Sequence, residues 1–319
     1  PRAKSPRSGQ ITPEVTLTVQ LGSVVLPNPI VAASGTYGHS DEVARLGDAS
    51  AIGAVTAKSL SPFLWAGNPA PRVVDTTAGM LNSVGLQNPG VDAWVEHDLP
   101  PLLARGARVI ASIWGRTVDD FAKAAAALAP VADRLVALEV NVSCPNLEDR
   151  GQMFAHHPDT TAAAVRAAVA EVGDLPIFAK LSPNVTDLRP IAAAAVDAGA
   201  TGLTLVNTLL GLSIDAEHRR PRLGAGGGGL SGPAIKPVAL RAVWEVSRAL
   251  PGVPIIGTGG VASGVDAVEM LLAGATAVGV GTATFHDPRA PQRIAAELAE
   301  WCRRHGVARV ADLVGALRE

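Results

Sequence analysis

A chain of 319 residues with 48% hydrophobic and 18% charged side chains holds enough apolar material for an extensive core, which excludes disorder for most of its length. A net charge of −2 and 3% aromatic residues supply neither the basic footprint nor the stacking surface of a nucleic-acid binder. The two cysteines, Cys144 and Cys302, are too few for a disulfide framework, a structural zinc or an iron–sulfur cluster within the chain, and they fit a reducing cytoplasm.

Taken in order, Pro1 to Gln10 carries Arg2, Lys4 and Arg7 with no apolar run behind them. It reads as a disordered tail over residues 1–12 ahead of a single domain over 13–319, and not as a signal peptide or anchor. Thr16 to Leu21, the pair Gly22-Ser23 and Val24 to Leu26 read as a β-hairpin with a two-residue turn. Short apolar, β-rich runs then alternate with helical stretches. The runs are Ile30 to Ala33, Ile52 to Lys58, Val109 to Ile113, Leu135 to Val142, Ile177 to Leu181, Gly202 to Asn207, Pro254 to Gly257 and Ala277 to Gly281. Helical candidates are Thr117 to Leu128, Thr160 to Val172, Asp187 to Ala198, Ala234 to Leu250, Gly264 to Ala273 and Pro291 to Arg304. Thr117 and the pair Thr186-Asp187 carry oxygen-bearing side chains suited to helix starts.

Eight βα units are the number that closes a parallel barrel. The chain is therefore expected to be an α/β protein, a (β/α)8 TIM barrel with an N-terminal β-hairpin and a long insert after strand 2. A doubly wound open sheet is the competitor, because strand order is not written in a sequence. The insert, Leu60 to His97, has little helical period and reads as a lid or binding loop. Gly224 to Gly232 reads as a loop approaching a ligand. The longest nearly uncharged run, Met270 to Phe285, is broken by glycines and too short for a membrane span.

Polar residues recur at the ends of these strands: Ser34, Lys58 and Ser59, Ser112, Asn141 and Cys144, Lys180 and Ser182, Asn207 and Thr208. In a barrel these ends converge on the face where active sites are built. Any single one is accounted for as a strand-end or capping residue, but two lysines at a barrel mouth need an anion or acceptor. Gly257-Thr258-Gly259-Gly260 and Gly279-Val280-Gly281-Thr282 read as the backbone-amide phosphate site that barrels place after strands seven and eight. Tight turns that simply need glycine are the plainer account. Cys302 reads as a buried small hydrophobe. Cys144, in a Ser-Cys-Pro-Asn turn, carries a thiol whose ordinary pKa near ~8.5 makes a base with modest tuning. The only histidines close by, His156 and His157, follow Met153-Phe154-Ala155 in an expected lid, which weighs against a Cys–His hydrolase.

These residues also carry a resemblance. Ala33-Ser34-Gly35-Thr36, Lys58-Ser59, Gly67-Asn68-Pro69, Asn82 to Gly90, Asn141 to Asn146, Lys180-Leu181-Ser182-Pro183, Asn207-Thr208-Leu209, Gly228 to Pro233, Gly259-Gly260 and Gly281-Thr282 resemble, in that order, the dihydroorotate dehydrogenase family. The likeness runs from about Leu17 to about His305. It implies a barrel holding one FMN that oxidises dihydroorotate to orotate. It assigns Cys144 as the base for C5, with Lys58 between flavin and substrate carboxylate. Asn82, Ser83, Val84, Gly85, Leu86, Asn141, Asn146, Asn207 and Thr208 would contact the substrate. Ala33, Ser34, Gly35, Lys58, Ser59, Ser112, Asn141, Lys180 and Val206 would contact the flavin and its ribityl chain, Lys180 stabilising the reduced anion. Gly232, Gly259, Gly260, Gly281 and Thr282 would surround its phosphate, and no metal is expected.

Cysteine rather than serine at the base, with no membrane-associating N-terminal extension, is similar to class 1 and not class 2. The Gly85 to Gly90 and Gly228 to Pro233 versions look like the NAD-linked 1B subfamily, although Ser112 stands where many of its members have an amide. That likeness implies a homodimer within a heterotetramer, with FAD and a [2Fe–2S] cluster on a partner subunit. A dihydropyrimidine-reducing relative, a colourless phosphate-binding lyase or isomerase, and an idle scaffold subunit are the competing expectations.

Overall fold

The computed structural model describes residues 15–143 and 153–318. The expected tail over 1–12 and the stretch containing Cys144 and Asn146 lie outside the described residues.

The hairpin pairs β1 (Val19–Leu21) with β2 (Val24–Leu26). Its turn glycine, Gly22, has φ +65°, and a Cβ there would lie 2.8 Å from Thr201 Cγ2. Thr201 immediately precedes a barrel strand, so the hairpin closes the N-terminal end of the barrel, away from the polar strand ends.

Further along the chain lie β3 (Ile30–Ala32), β4 (Ala54–Thr56), β5 (Val73–Thr76), β6 (Gly79–Asn82), β7 (Val109–Ile113), β8 (Ala137–Asn141) and β9 (Ile177–Leu181). They are followed by β10 (Gly202–Leu205), β11 (Leu209–Gly211), β12 (Ile214–Asp215), β13 (Arg220–Pro221), β14 (Gly228–Ser231), β15 (Ile255–Thr258) and β16 (Ala277–Val280). Among the described residues, β3, β4, β7, β8, β9, β10, β15 and β16 pair in parallel and in that order, and β16 returns to β3. Closure decides for the barrel over the open sheet. Residues of β7, β8 and β9 are buried without exception, because helices cover the outer face and side chains fill the inside.

The helices form where apolar period and start signals agree. Val118–Leu128 opens on Thr117, which accepts from the Asp120 amide at 3.2 Å while Asp120 accepts from the Thr117 amide at 3.1 Å, a reciprocal capping box. Pro158–Val169, Arg189–Asp197, Lys236–Ala249, Gly264–Leu272 and Ala290–Arg304 follow the expected helices to within a few residues. Cys302 is fully buried in the last of them. The first βα unit departs from the pattern: short 3-10 turns, Ala44–Leu46 and Ala49–Ala51, replace a full helix.

Three sequence expectations are corrected. The insert is not loop throughout. Residues 91–104 form a helical stretch with a π-type turn at Trp94–Asp98 followed by Leu99–Ala104. Pro100 and Pro101 disguised it; they fall where the π-type turn gives way to Leu99–Ala104, in the first turn of that last segment, where proline is best tolerated. Trp94 anchors this stretch, fully buried and donating its indole N–H to His39 O at 2.7 Å.

Second, Gly228 to Ser231 is a strand. β14 pairs with β11 and β6, and with β5 completes a four-stranded antiparallel sheet beside the barrel mouth, with Val74, Leu81 and Leu223 as its own small core. Its glycines are required by close approach: a Cβ at Gly229 would sit 2.1 Å from Thr208 Oγ1. The residues expected as a lid, Phe154 and Ala155, are instead fully buried, Phe154 edge-on to Phe121. Among the described residues, no helix is long and apolar enough to cross a membrane.

Candidate active site

The C-terminal ends of the barrel strands and the antiparallel sheet enclose a cavity of about 800 Å³. Its floor is a polar tier inside the barrel. Ser112, Glu139, Asn141, Lys180 and Thr204 lie on β7 to β10 and are all buried. Parallel register sets Ser112 beside Glu139, Asn141 beside Lys180, and Lys180 beside Thr204, and residues side by side in a sheet share a face.

Glu139 uses both of its oxygens in this tier. Oε1 accepts from Ser112 Oγ at 3.1 Å and lies 3.7 Å from Lys180 Nζ, while Oε2 accepts from Thr204 Oγ1 at 3.0 Å. The network continues from Ser112 to Ser59 at 2.9 Å, and Asn141 Nδ2 donates to Ser59 Oγ at 3.2 Å. Asn207 Nδ2 donates to Asn141 Oδ1 at 3.3 Å. Amide side chains are thereby held in fixed orientations at the cavity by their neighbours.

Lys58 stands at the end of β4 and lines the cavity. Burial, then the charge of Lys180, push its ammonium down from 10.5 to about 8, Glu139 opposing the shift. His39, on the neighbouring loop, is held below the ordinary imidazole range by burial and then by the Lys58 charge, so it is neutral at pH 7.

The opposite end of the cavity is built from backbone. Gly259 and Gly260 have φ of +134° and +76°, and a Cβ at Gly260 would lie 2.5 Å from Lys236 Cβ. Only glycine fits so tightly against the start of the helix Lys236–Ala249. Among the described residues, the amides of Gly260, Val261 and Thr282 have no acceptor, and Thr282 Oγ1 donates to Ser231 Oγ at 2.7 Å. Converging amides of this kind form an anion cradle.

Of the residues expected from the sequence, Ala33, Ser34, Gly35, Lys58, Ser59, Asn82, Ser83, Val84, Gly85, Leu86, Asn141, Lys180, Val206, Asn207, Thr208, Gly232, Gly259, Gly260, Gly281 and Thr282 all line this one cavity. Ser112 does not: it is fully buried one layer below, bonded to Ser59 and Glu139. The tight turn that brings Gly85 and Leu86 to the wall puts both at positive φ, +73° and +62°.

Sequence reasoning missed Glu139, although a lone acid within Leu138 to Val140 was the available signal. It also missed an aromatic wall. Trp65 and Trp114 meet edge to face at 6.0 Å, Arg116 lies 4.9 Å over the Trp65 ring, and Trp65 Nε1 donates to Gly85 O at 2.9 Å. These residues are distant in sequence, and no periodicity joins them.

A family model described as dihydroorotate dehydrogenase matches residues 16–301. A protein from Geobacter sulfurreducens named dihydroorotate dehydrogenase B (NAD(+)), catalytic subunit, is 47% identical over 301 residues, covering 94% of this chain and 98% of the relative. One of the same name from Trichlorobacter lovleyi is 48% identical over the same shares. A relative from Solibacter usitatus, whose name assigns it to the fumarate type A, is 48% identical over 308 residues, covering 97% of this chain and all of the relative.

Proposed function

Because the chain belongs to the dihydroorotate dehydrogenase family, we propose that it oxidises (S)-dihydroorotate to orotate in pyrimidine biosynthesis, as a single FMN-binding domain over residues 13–319. The observation that carries this reading is the convergence of two lysines, four asparagines and a glycine-built amide cradle on one cavity.

The cavity fits the cofactor. About 800 Å³ is room for a flavin nucleotide together with a small acid. The amides of Gly260, Val261 and Thr282, with Gly232, Gly259 and Gly281, suit its phosphate. Ala33, Ser34, Gly35, Ser59 and Val206 line the middle, and Lys180 is the cation for the ring. FMN supplies, when bound, the acceptor for the hydride that leaves C6 of the substrate.

The chain's own residues do the rest. Cys144 removes the proton from C5 as the hydride departs from C6, so that orotate carries one double bond more and two hydrogens fewer. Lys58, charged below pH 8, neutralises the substrate carboxylate. Asn82, Asn141, Asn146, Asn207 and Thr208, with the turn Ser83 to Leu86, hydrogen-bond the ring amides and hold C5 toward the base. A site so lined rejects ligands that leave its amides unpaired.

The names of the relatives from Geobacter and Trichlorobacter, with their NAD(+) and catalytic subunit, support electron exit to NAD through a partner subunit, and the resemblance of the sequence motifs puts FAD and [2Fe–2S] on that partner. In this reading a homodimer of this chain sits within a cytoplasmic heterotetramer. The test is anaerobic: dihydroorotate should bleach the flavin absorbance of the purified yellow protein, and dihydrouracil should not. The reverse preference would assign a dihydropyrimidine-reducing enzyme, and a protein that takes up no FMN would leave a non-redox barrel. Efficient turnover with fumarate by the isolated chain would overturn the NAD-linked part alone.

A further inference from the structure

Glu139 is an acid 2% exposed in the middle of a fully buried strand, and no step above uses it. Its oxygens meet partners from three other barrel strands: Ser112 on β7, Lys180 on β9 and Thr204 on β10. A neutral amide could bridge the two hydroxyls equally well. What only a carboxylate adds is a fixed negative charge beneath two lysines, at a depth where charges are weakly screened.

The two lysines relate to it differently. Lys180 Nζ lies 3.7 Å from Oε1, both side chains almost wholly buried. The Lys58 ammonium makes no hydrogen bond or ion pair with a described residue and faces the cavity. With one carboxylate beside two ammonium groups, this trio retains one uncompensated positive charge among the described residues, and geometry sets it on Lys58.

We propose that Glu139 is the positioning residue that divides the work of the two lysines, holding Lys180 at the cavity floor and leaving Lys58 uncommitted to receive the substrate carboxylate. This rests on the reading that the cavity binds orotate beside FMN. Among the described residues, the charged and titratable groups that face Lys58 are Lys180, Glu139 and His39. Those that face Glu139 are the two lysines, with Ser112 and Thr204 as its hydroxyl partners.

The test is the pH profile of orotate binding to the FMN-loaded protein, read from the perturbation of the flavin spectrum. In the wild type, affinity is level up to the Lys58 transition near about 8 and then falls about tenfold per pH unit. Glu139→Gln keeps the hydroxyl bridges and removes the charge that supports a second cation. The break should move down by a pH unit or more, so that affinity at pH 8 falls about tenfold while affinity at pH 6 changes by less than about threefold. Lys180→Met removes the competing cation and frees Glu139 for Lys58, so its break should move up. That variant carries the test by itself if Glu139→Gln does not fold.

Breaks that shift in opposite directions support the proposal, since a merely structural role would weaken binding at every pH and leave the break in place. Wild type that binds orotate with a break unmoved in either variant, or moved the same way in both, overturns this inference alone. Wild type that holds FMN and binds no orotate overturns the reading beneath it as well.

Discussion

Lys58→Met is expected to stabilise the ligand-free protein while disabling the site. Lys58 is held at about 8 against 10.5 for a free lysine, burial first and Lys180 second, which corresponds to about 3 kcal/mol. The sign follows from proton uptake. Below pH 8 lysine is charged in folded and unfolded chain alike, and the folded state carries the whole penalty. Between 8 and 10.5 the unfolded chain binds a proton that the folded one does not, so wild-type stability rises with pH and the penalty fades. Methionine keeps most of the aliphatic stem without the charge. The variant should therefore gain up to about 3 kcal/mol near pH 7, or roughly 6 °C in Tm for a chain of this size, and the advantage should disappear by about pH 10.5. Denaturant unfolding of flavin-free protein at about pH 6.5, 8, 9.5 and 10.5, points that span that window, measures it. Orotate affinity in the FMN-loaded variant should meanwhile drop on the order of 100-fold at pH 7, the scale of a lost buried charge pair. A variant less stable than wild type at pH 7, or a gain that does not depend on pH, would refute the account of Lys58 as a strained cation awaiting an anion.

Three further outcomes are expected. Cys144→Ser should slow anaerobic flavin reduction by dihydroorotate by about 10²- to 10⁴-fold at neutral pH, with partial recovery at high pH, because a hydroxyl is a far weaker acid than a thiol and supplies far less of the anionic base near neutrality; stopped-flow absorbance reads it. Gly229→Ala places a methyl 2.1 Å from Thr208 Oγ1 and should prise β14 from the cavity wall at about 1–3 kcal/mol, seen as weakened orotate binding with FMN content unchanged. Thr117→Ala breaks the capping box and should cost about 1 kcal/mol of stability, a fall of about 2 °C in Tm, with flavin reduction as in the wild type.

The eight barrel strands were legible because each is a short β-rich run between helical stretches, and Ile177–Leu181 and Val109–Ile113 fall where the pattern puts them. Leu99–Ala104 was not, since Pro100 and Pro101 look the same whether they end one element or begin another. The glycine run before Pro233 read as a loop because glycine disfavours strands. Its pairing with Asn82, Leu81 and Met80 across some 150 positions is what makes the strand, and Thr208 is what makes the glycine necessary.

The sequence by itself determined the repeat, the helix starts, the glycines that expose backbone and the polar residues at strand ends, because all of these are local in the chain. It also carried the family motifs. Only the tertiary structure decided that the sheet closes, that twenty of the expected residues share one cavity, and that Ser112 lies beneath it. The same is true of the charge balance. Glu139, Lys180 and Lys58 stand on different strands, and their coupling depends on distance and burial, which no order of residues along a chain states.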